Sequence, residues 1–146
     1  MSKVLILYAT QEGQTGRIAR RMAETLTADG HAVTLVDTDH ETPPDGLARF
    51  DAIAVGGPIH AGGYPRSIVR FAREHCRFLE RARSTFFSVG LAIASRTSDG
   101  RAQTLEVVER FVEKCGWRPA RVELIAGALP YSKYNFLIRF IMRRIS

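Results

Sequence analysis

Near the amino terminus, Thr10-Gln11-Glu12-Gly13-Gln14-Thr15-Gly16 combines two hydroxyls with two glycines. Threonine hydroxyls exchange hydrogen bonds with phosphate oxygens, and Gly13 lets the backbone turn sharply against a ligand. If a helix starts here, its free N–H groups and the positive end of its dipole face the same anion. A terminal monophosphate needs no lysine in such a nest of amides. The same residues also suit a plain N-capping turn, with Thr10 or Thr15 satisfying helix N–H groups. Glycine recurs in Gly56-Gly57-Pro58-Ile59-His60-Ala61-Gly62-Gly63-Tyr64. There the backbone can lie close to a flat ligand, and a peptide can flip when that ligand changes redox state. Tyr64 either stacks on the ligand or anchors the next helix. His60 either hydrogen-bonds a reacting ring or a substrate carboxylate, or is simply solvated. A third loop, Gly90-Leu91-Ala92, should close over the other edge of the ring.

These loops need a scaffold, and the intervening sequence alternates two segment types. Short apolar, β-branched runs at residues 4–9, 32–36, 52–55, 85–89 and 122–126 suit strands covered on both faces, as in a parallel sheet. Between them, Ile18, Met22 and Leu26 repeat at helical spacing up to Gly30. Ile68, Phe71, Ala72, His75 and Leu79 do the same, as do Leu105, Val108, Val112 and Cys115 before Gly116. Pro43-Pro44 limits any helix between His40 and Phe50 to a turn or two. An alternating βα series gives an α/β three-layer sandwich: a five-stranded parallel sheet with helices on both faces. Right-handed crossovers leave few strand orders, and 2-1-3-4-5 is the order expected. Its switch point, between the first and third strands, sets residues 10–15 beside residues 58–64.

Other phosphate motifs fail. There is no GxxxxGK[ST], Gly13-Gln14-Thr15-Gly16 lacks the first glycine of GxGxxG, and no dinucleotide site follows. A phosphorylated receiver domain needs acids after strand one and an aspartate ending strand three. Here those strands end in Tyr8-Ala9 and Gly56-Gly57.

The chain has 146 residues, 45% hydrophobic and 25% charged, ordinary for one soluble domain without internal repeats. Its net charge of +6 favours anionic partners, either a lipid surface, phosphates or carboxylates, or else marks a basic solvated surface. No nucleic-acid module is recognisable. Cys76 and Cys115 have no CxxC spacing and read as reduced, half-buried helix residues, so neither a disulfide nor a metal site is expected. With no signal segment and no apolar run of about 18 residues, the expected location is the cytoplasm, with peripheral membrane contact at most. The sequence leaves homo-oligomerisation open.

The loop of Thr10, Gly13 and Thr15 resembles the flavin mononucleotide (FMN) phosphate loop of flavodoxins, with one departure. Glu12 stands where many flavodoxins carry a hydroxyl, and repulsion from a phosphate should turn it outward. Trp117-Arg118-Pro119, then Ile125-Ala126-Gly127-Ala128-Leu129-Pro130-Tyr131 and the aromatic and basic run that follows, resembles the flavodoxin-like, quinone-dependent protoporphyrinogen oxidases of bacterial haem synthesis. The resemblance covers essentially the whole chain. It implies FMN as cofactor, protoporphyrinogen IX as electron donor and a membrane quinone as acceptor, with residues 10–15 on the phosphate and Pro58, Ile59, His60, Ala61, Gly62, Tyr64, Gly90, Leu91 and Ala92 framing the ring. No catalytic residue is singled out. Members usually continue with a further strand piece and a closing helix. Either the helix from Tyr134 serves as the last one, or the sequence given is shortened.

As a helix, Tyr134 to Ile145 gathers Leu137, Ile138, Ile141 and Met142 on one broad face, with Arg139 and Arg143 opposite and Arg144 at the flank. Such a helix packs on the sheet. Phe136 and Phe140 among the arginines also suit an anionic membrane surface or a tetrapyrrole bearing carboxylates. Two other functions stay open: a flavodoxin-type electron carrier and an FMN-dependent quinone reductase. A diffusing carrier is typically acidic, and the basic charge argues against it.

Overall fold

Parallel pairing needs a crossover between strands, and helical runs long enough to make it follow the first, third and fourth apolar runs. The computed structural model describes residues 2–11, 13–90 and 98–125. Strands β1 (Lys3–Tyr8), β2 (Ala32–Asp37), β3 (Ala52–Pro58), β4 (Ser84–Val89) and β5 (Val122–Ile125) form one five-stranded sheet in the order β2-β1-β3-β4-β5, every pair parallel. Both the strand order and the positions of the strands agree with the sequence reading. Helix α1 (Gln14–Ala28) follows β1, α2 (Arg66–Glu74) and α3 (Cys76–Arg81) follow β3, and α4 (Ser98–Cys115) follows β4. The segment with Pro43-Pro44 holds one 3-10 turn, Leu47–Arg49, as expected. No described helix is long and apolar enough to cross a membrane.

Alternating strand residues feed two cores. Leu5, Leu7, Ile53, Val55 and Phe86 face α2, α3 and α4, together with Phe71, Leu79, Phe111 and Trp117. Val4, Ile6, Ala54, Phe87 and Val89 meet Ile18, Met22 and Leu26 of α1 on the other face. Phe86 and Phe111 stack with centroids 4.6 Å apart, a pairing worth about 1 kcal/mol beyond the area it buries.

Four expectations change. β2 is the sheet edge and is only partly covered, not apolar on both sides. Leu105 is 47% exposed, and the buried stripe of α4 runs through Thr104, Val107, Val108, Phe111, Val112 and Cys115. The Thr104 hydroxyl donates to the Gly100 carbonyl at 2.9 Å, so a polar residue sits in the core at little cost and Leu105 turns outward. The stretch from Ile68 to Leu79 is kinked at half-buried His75 (φ −119°, ψ 19°) instead of running as one helix. Hydrogen bonds continue through the kink, His75 N–H to Phe71 O and Leu79 N–H to His75 O. Cys76 is half-buried as expected, whereas Cys115 is fully buried; both are free thiols.

Candidate functional site

β1 and β3 are neighbours, with Tyr8 opposite Gly56, and the Ala9 N–H extends the pairing to the Gly56 carbonyl at 3.2 Å. The chain therefore leaves both strands at one place on the carboxyl edge of the sheet, where the sequence order predicted the two loops to meet.

In the first loop the two threonines divide the roles left open. The Gly13 N–H donates to Thr10 Oγ1 at 3.0 Å, so Thr10 shapes the turn. Thr15 is 1% exposed, and its hydroxyl has no hydrogen-bond partner among the described residues. Gly13 precedes α1 with φ +86°, a left-handed conformation that side chains rarely adopt, and no side chain caps the helix. The first turn carries no acid of its own, so its N–H groups and the helix dipole are not answered by a side chain of that turn. Gly16, whose role the sequence reading missed, lets α1 approach β1. A Cβ there would lie 3.2 Å from the Arg20 guanidinium and 3.3 Å from the Tyr8 ring. Gln11 is exposed and Gln14 half-buried; Glu12 lies outside the described residues.

The second loop begins later than expected. Gly56, Gly57 and Pro58 belong to β3, paired with Phe87, Ser88 and Val89. Gly56 is required there because a Cβ would stand 2.1 Å from the Phe87 ring, which crosses it. Packing, and not ligand approach, accounts for this glycine. His60 and Gly63 exchange both backbone hydrogen bonds, at 2.9 and 3.1 Å, around Ala61 (φ 50°) and Gly62 (φ 77°). Two positive φ values in the centre make a type I′ turn, and alanine is a strained choice at its first position. His60 is exposed and its ring has no hydrogen-bond partner among the described residues. The Ile59 N–H donates to Val89 O at 2.9 Å, and the Ile59 side chain lies over Gly90, joining the second loop to the start of the third. Leu91 and Ala92 lie outside the described residues, as do Tyr134, Arg139, Arg143, Arg144 and the rest of the expected last helix.

Tyr64 takes the anchoring role and not the stacking one. Its ring meets Phe86 and Phe111 edge-on, with centroids 5.0 and 5.2 Å away, and its hydroxyl shares a 2.7 Å hydrogen bond with the buried Ser88. Burial pushes the phenol from the ordinary 10.0 up to about 12, the Ser88 bond opposing part of that rise. A polar chain the sequence reading missed fixes the start of α2. The Thr38 N–H donates to Tyr8 O at 2.9 Å, the Thr38 and Ser67 hydroxyls lie 2.8 Å apart, and Ser67 donates to Asp39 at 2.7 Å. The signal available was the Thr-Asp pair directly after β2, facing a serine in the first turn of α2.

The site is thus an uncapped helix start with a buried threonine hydroxyl, beside the loop after β3 at the carboxyl edge of an open parallel sheet, the switch point at which such sheets bind ligands. The Flavodoxin domain family matches residues 5–146, and the chain belongs to that family. It is 32% identical over 143 residues to the protoporphyrinogen IX dehydrogenase [quinone] of Escherichia coli K12, covering 98% of this chain and 78% of the relative. The protein of that name from Leishmania major is also 32% identical, over 149 residues, 97% of this chain and 62% of the relative. Among solved structures, a short-chain flavodoxin associated with a bacterial microcompartment superposes with a TM-score of 0.70 at 15% identity, each chain fully covered.

Proposed function

We propose that this chain is an FMN-dependent dehydrogenase that oxidises protoporphyrinogen IX to protoporphyrin IX and passes the electrons to a quinone. The observation that carries it is the 32% identity, over 98% of the chain, to the E. coli protein of that activity. The cofactor half has support of its own. A buried hydroxyl without a partner is costly unless something answers it, and Thr15 stands where an anion would. FMN, when bound, supplies the two-electron redox chemistry.

The chain's own residues bind, frame and exclude water. Thr15, with the N–H groups of the first turn of α1, would take the phosphate, and Gly13 gives them access. Ile59, Gly90 and the turn from His60 to Gly63 would frame the ring, with Leu91 and Ala92 closing it. Tyr64 acts one step back, holding that loop on the aromatic core. Turnover at the cytoplasmic face of a membrane is part of the same reading, because a quinone dissolves in the bilayer and the net charge of +6 suits an anionic surface. The helix from Tyr134 to Ile145, with Phe136 and Arg143, would add to that contact.

The test is anaerobic mixing of FMN-loaded protein with protoporphyrinogen IX and a soluble quinone analogue. Porphyrin fluorescence should rise in proportion to quinone reduced. A yellow protein that reduces no quinone from this donor overturns the substrate; a colourless one that takes up no FMN overturns the cofactor.

A further inference from the structure

The outer face of α2 and α3 carries arginines at positions 66, 70, 73, 77 and 81, spaced four, three, four and four apart, and all five are exposed. The spacing is helical within α2 and within α3, and the hydrogen bonds that continue through the kink at His75 keep both sets on the outer side, away from the buried Ile68, Phe71, Ala72 and Leu79. The stripe extends roughly 22 Å at the helical rise per residue. Arg21–Glu24, His40–Asp37 and Arg118–Glu109 pair elsewhere, and no ion pair to the five arginines occurs among the described residues. Arg73 Nε donates to the Lys114 carbonyl at 3.3 Å and Arg81 Nε to the Arg77 carbonyl at 3.4 Å, which orients these guanidiniums without neutralising them. Of the two glutamates on α2 and α3, Glu80 already accepts the Arg118 N–H at 2.7 Å. Between the arginines runs an open groove of about 680 Å³, lined by Arg73, Arg77 and Arg81, by Glu74 on the rim, and by the half-buried Cys76 and Phe78.

We propose that this stripe is a docking surface for the anionic phospholipid headgroups of a bilayer. Guanidiniums along one face favour an extended partner carrying repeated phosphates, and the exposed parts of Cys76 and Phe78 in the groove give glycerol and acyl carbons an apolar contact beside them. The stripe begins at Arg66, directly after the loop that ends in Tyr64. A chain lying on this face therefore holds the rim of the site at the lipid surface, where the quinone of the proposed reaction resides; in that respect the inference rests on that reading.

The experiment is sedimentation of the full chain with vesicles of phosphatidylcholine alone or with one third phosphatidylglycerol. Binding should require phosphatidylglycerol and weaken as salt rises. At about fivefold per basic residue near the surface, R70A/R77A should lower the partition coefficient about 30-fold. R70K/R77K should keep most of the binding, and turnover with a soluble quinone analogue should be unchanged in both variants. Equal binding to the two vesicle types, or a loss under twofold in R70A/R77A, overturns the proposal. So does a single-stranded oligonucleotide whose binding needs these arginines while vesicle binding does not. The salt titration of the unaltered protein reads the same surface if either variant folds poorly. Vesicle binding needs neither FMN nor porphyrinogen, so failed turnover alongside intact, arginine-dependent binding counts against the reaction and leaves the surface standing.

Discussion

The loops after β1 and β3 leave adjacent strands at the same edge of the sheet, yet they use their hydrogen-bonding groups in opposite ways. After β3, the backbone of His60 and Gly63 closes on itself, Ile59 is tied to Val89 and Tyr64 to Ser88. After β1, the turn is closed by Thr10, but Thr15 is buried without a partner among the described residues and no side chain caps α1. Among the described residues, one loop is satisfied by the protein and the other leaves a buried hydroxyl and the helix N–H groups unanswered. Ligand affinity should therefore come mainly from the first, while the second supplies a preformed frame whose cost falls on the fold.

Thr15→Val tests this contrast most sharply. Removing a charge-assisted hydrogen bond to phosphate should weaken FMN by about 2 kcal/mol, roughly 30-fold in Kd by fluorescence quenching. The FMN-free protein should lose nothing in Tm, since the hydroxyl bonds to no described residue and the swap keeps its volume. A comparable loss of apo stability would make Thr15 structural and erase the contrast.

Tyr64→Phe should behave in the reverse manner, lowering stability by about 1–2 kcal/mol in urea because Ser88 loses its partner inside the sheet, with a small change in FMN affinity. It should also change the alkaline limb. A phenol raised from 10.0 to about 12 stabilises the fold fully below pH 10, and that contribution falls as pH rises through the folded value. The unaltered protein should lose up to about 2 kcal/mol between pH 10 and 12 that the Phe variant does not. Parallel alkaline curves would mean that Tyr64 is not held as described.

Ala61→Gly has the smallest expected effect. Relief of the left-handed strain at φ 50° outweighs the entropy of the added glycine, so unfolding stability should rise by roughly 0.5 kcal/mol. A loss would show that the turn does not impose that conformation.

Much of this was legible in the residues. The five apolar runs marked the five strands of the described residues, and crossover handedness left few orders, of which the expected 2-1-3-4-5 is the one observed. Where the reading slipped, a long-range contact intervened. Leu105 continued a helical period, but Thr104 satisfied its own hydroxyl and took the core position. Gly56 and Gly57 read as part of the loop, yet both pair within β3, and the Phe87 ring lying across Gly56 accounts for the glycine there. Tyr64 had two equal roles until Ser88, twenty-four positions away, accounted for its hydroxyl.

By itself the sequence determined where the strands lie and narrowed their order to a few, and with it the sheet edge at which the two glycine loops meet, because periodicity and chain connectivity are local properties written in residue order. The tertiary structure alone decided which of two threonines has no partner among the described residues, which way Tyr64 turns, and that the five arginines from Arg66 to Arg81 share one exposed face with no ion pair among the described residues. Burial and pairing depend on neighbours distant in the chain, and no spacing rule reports them.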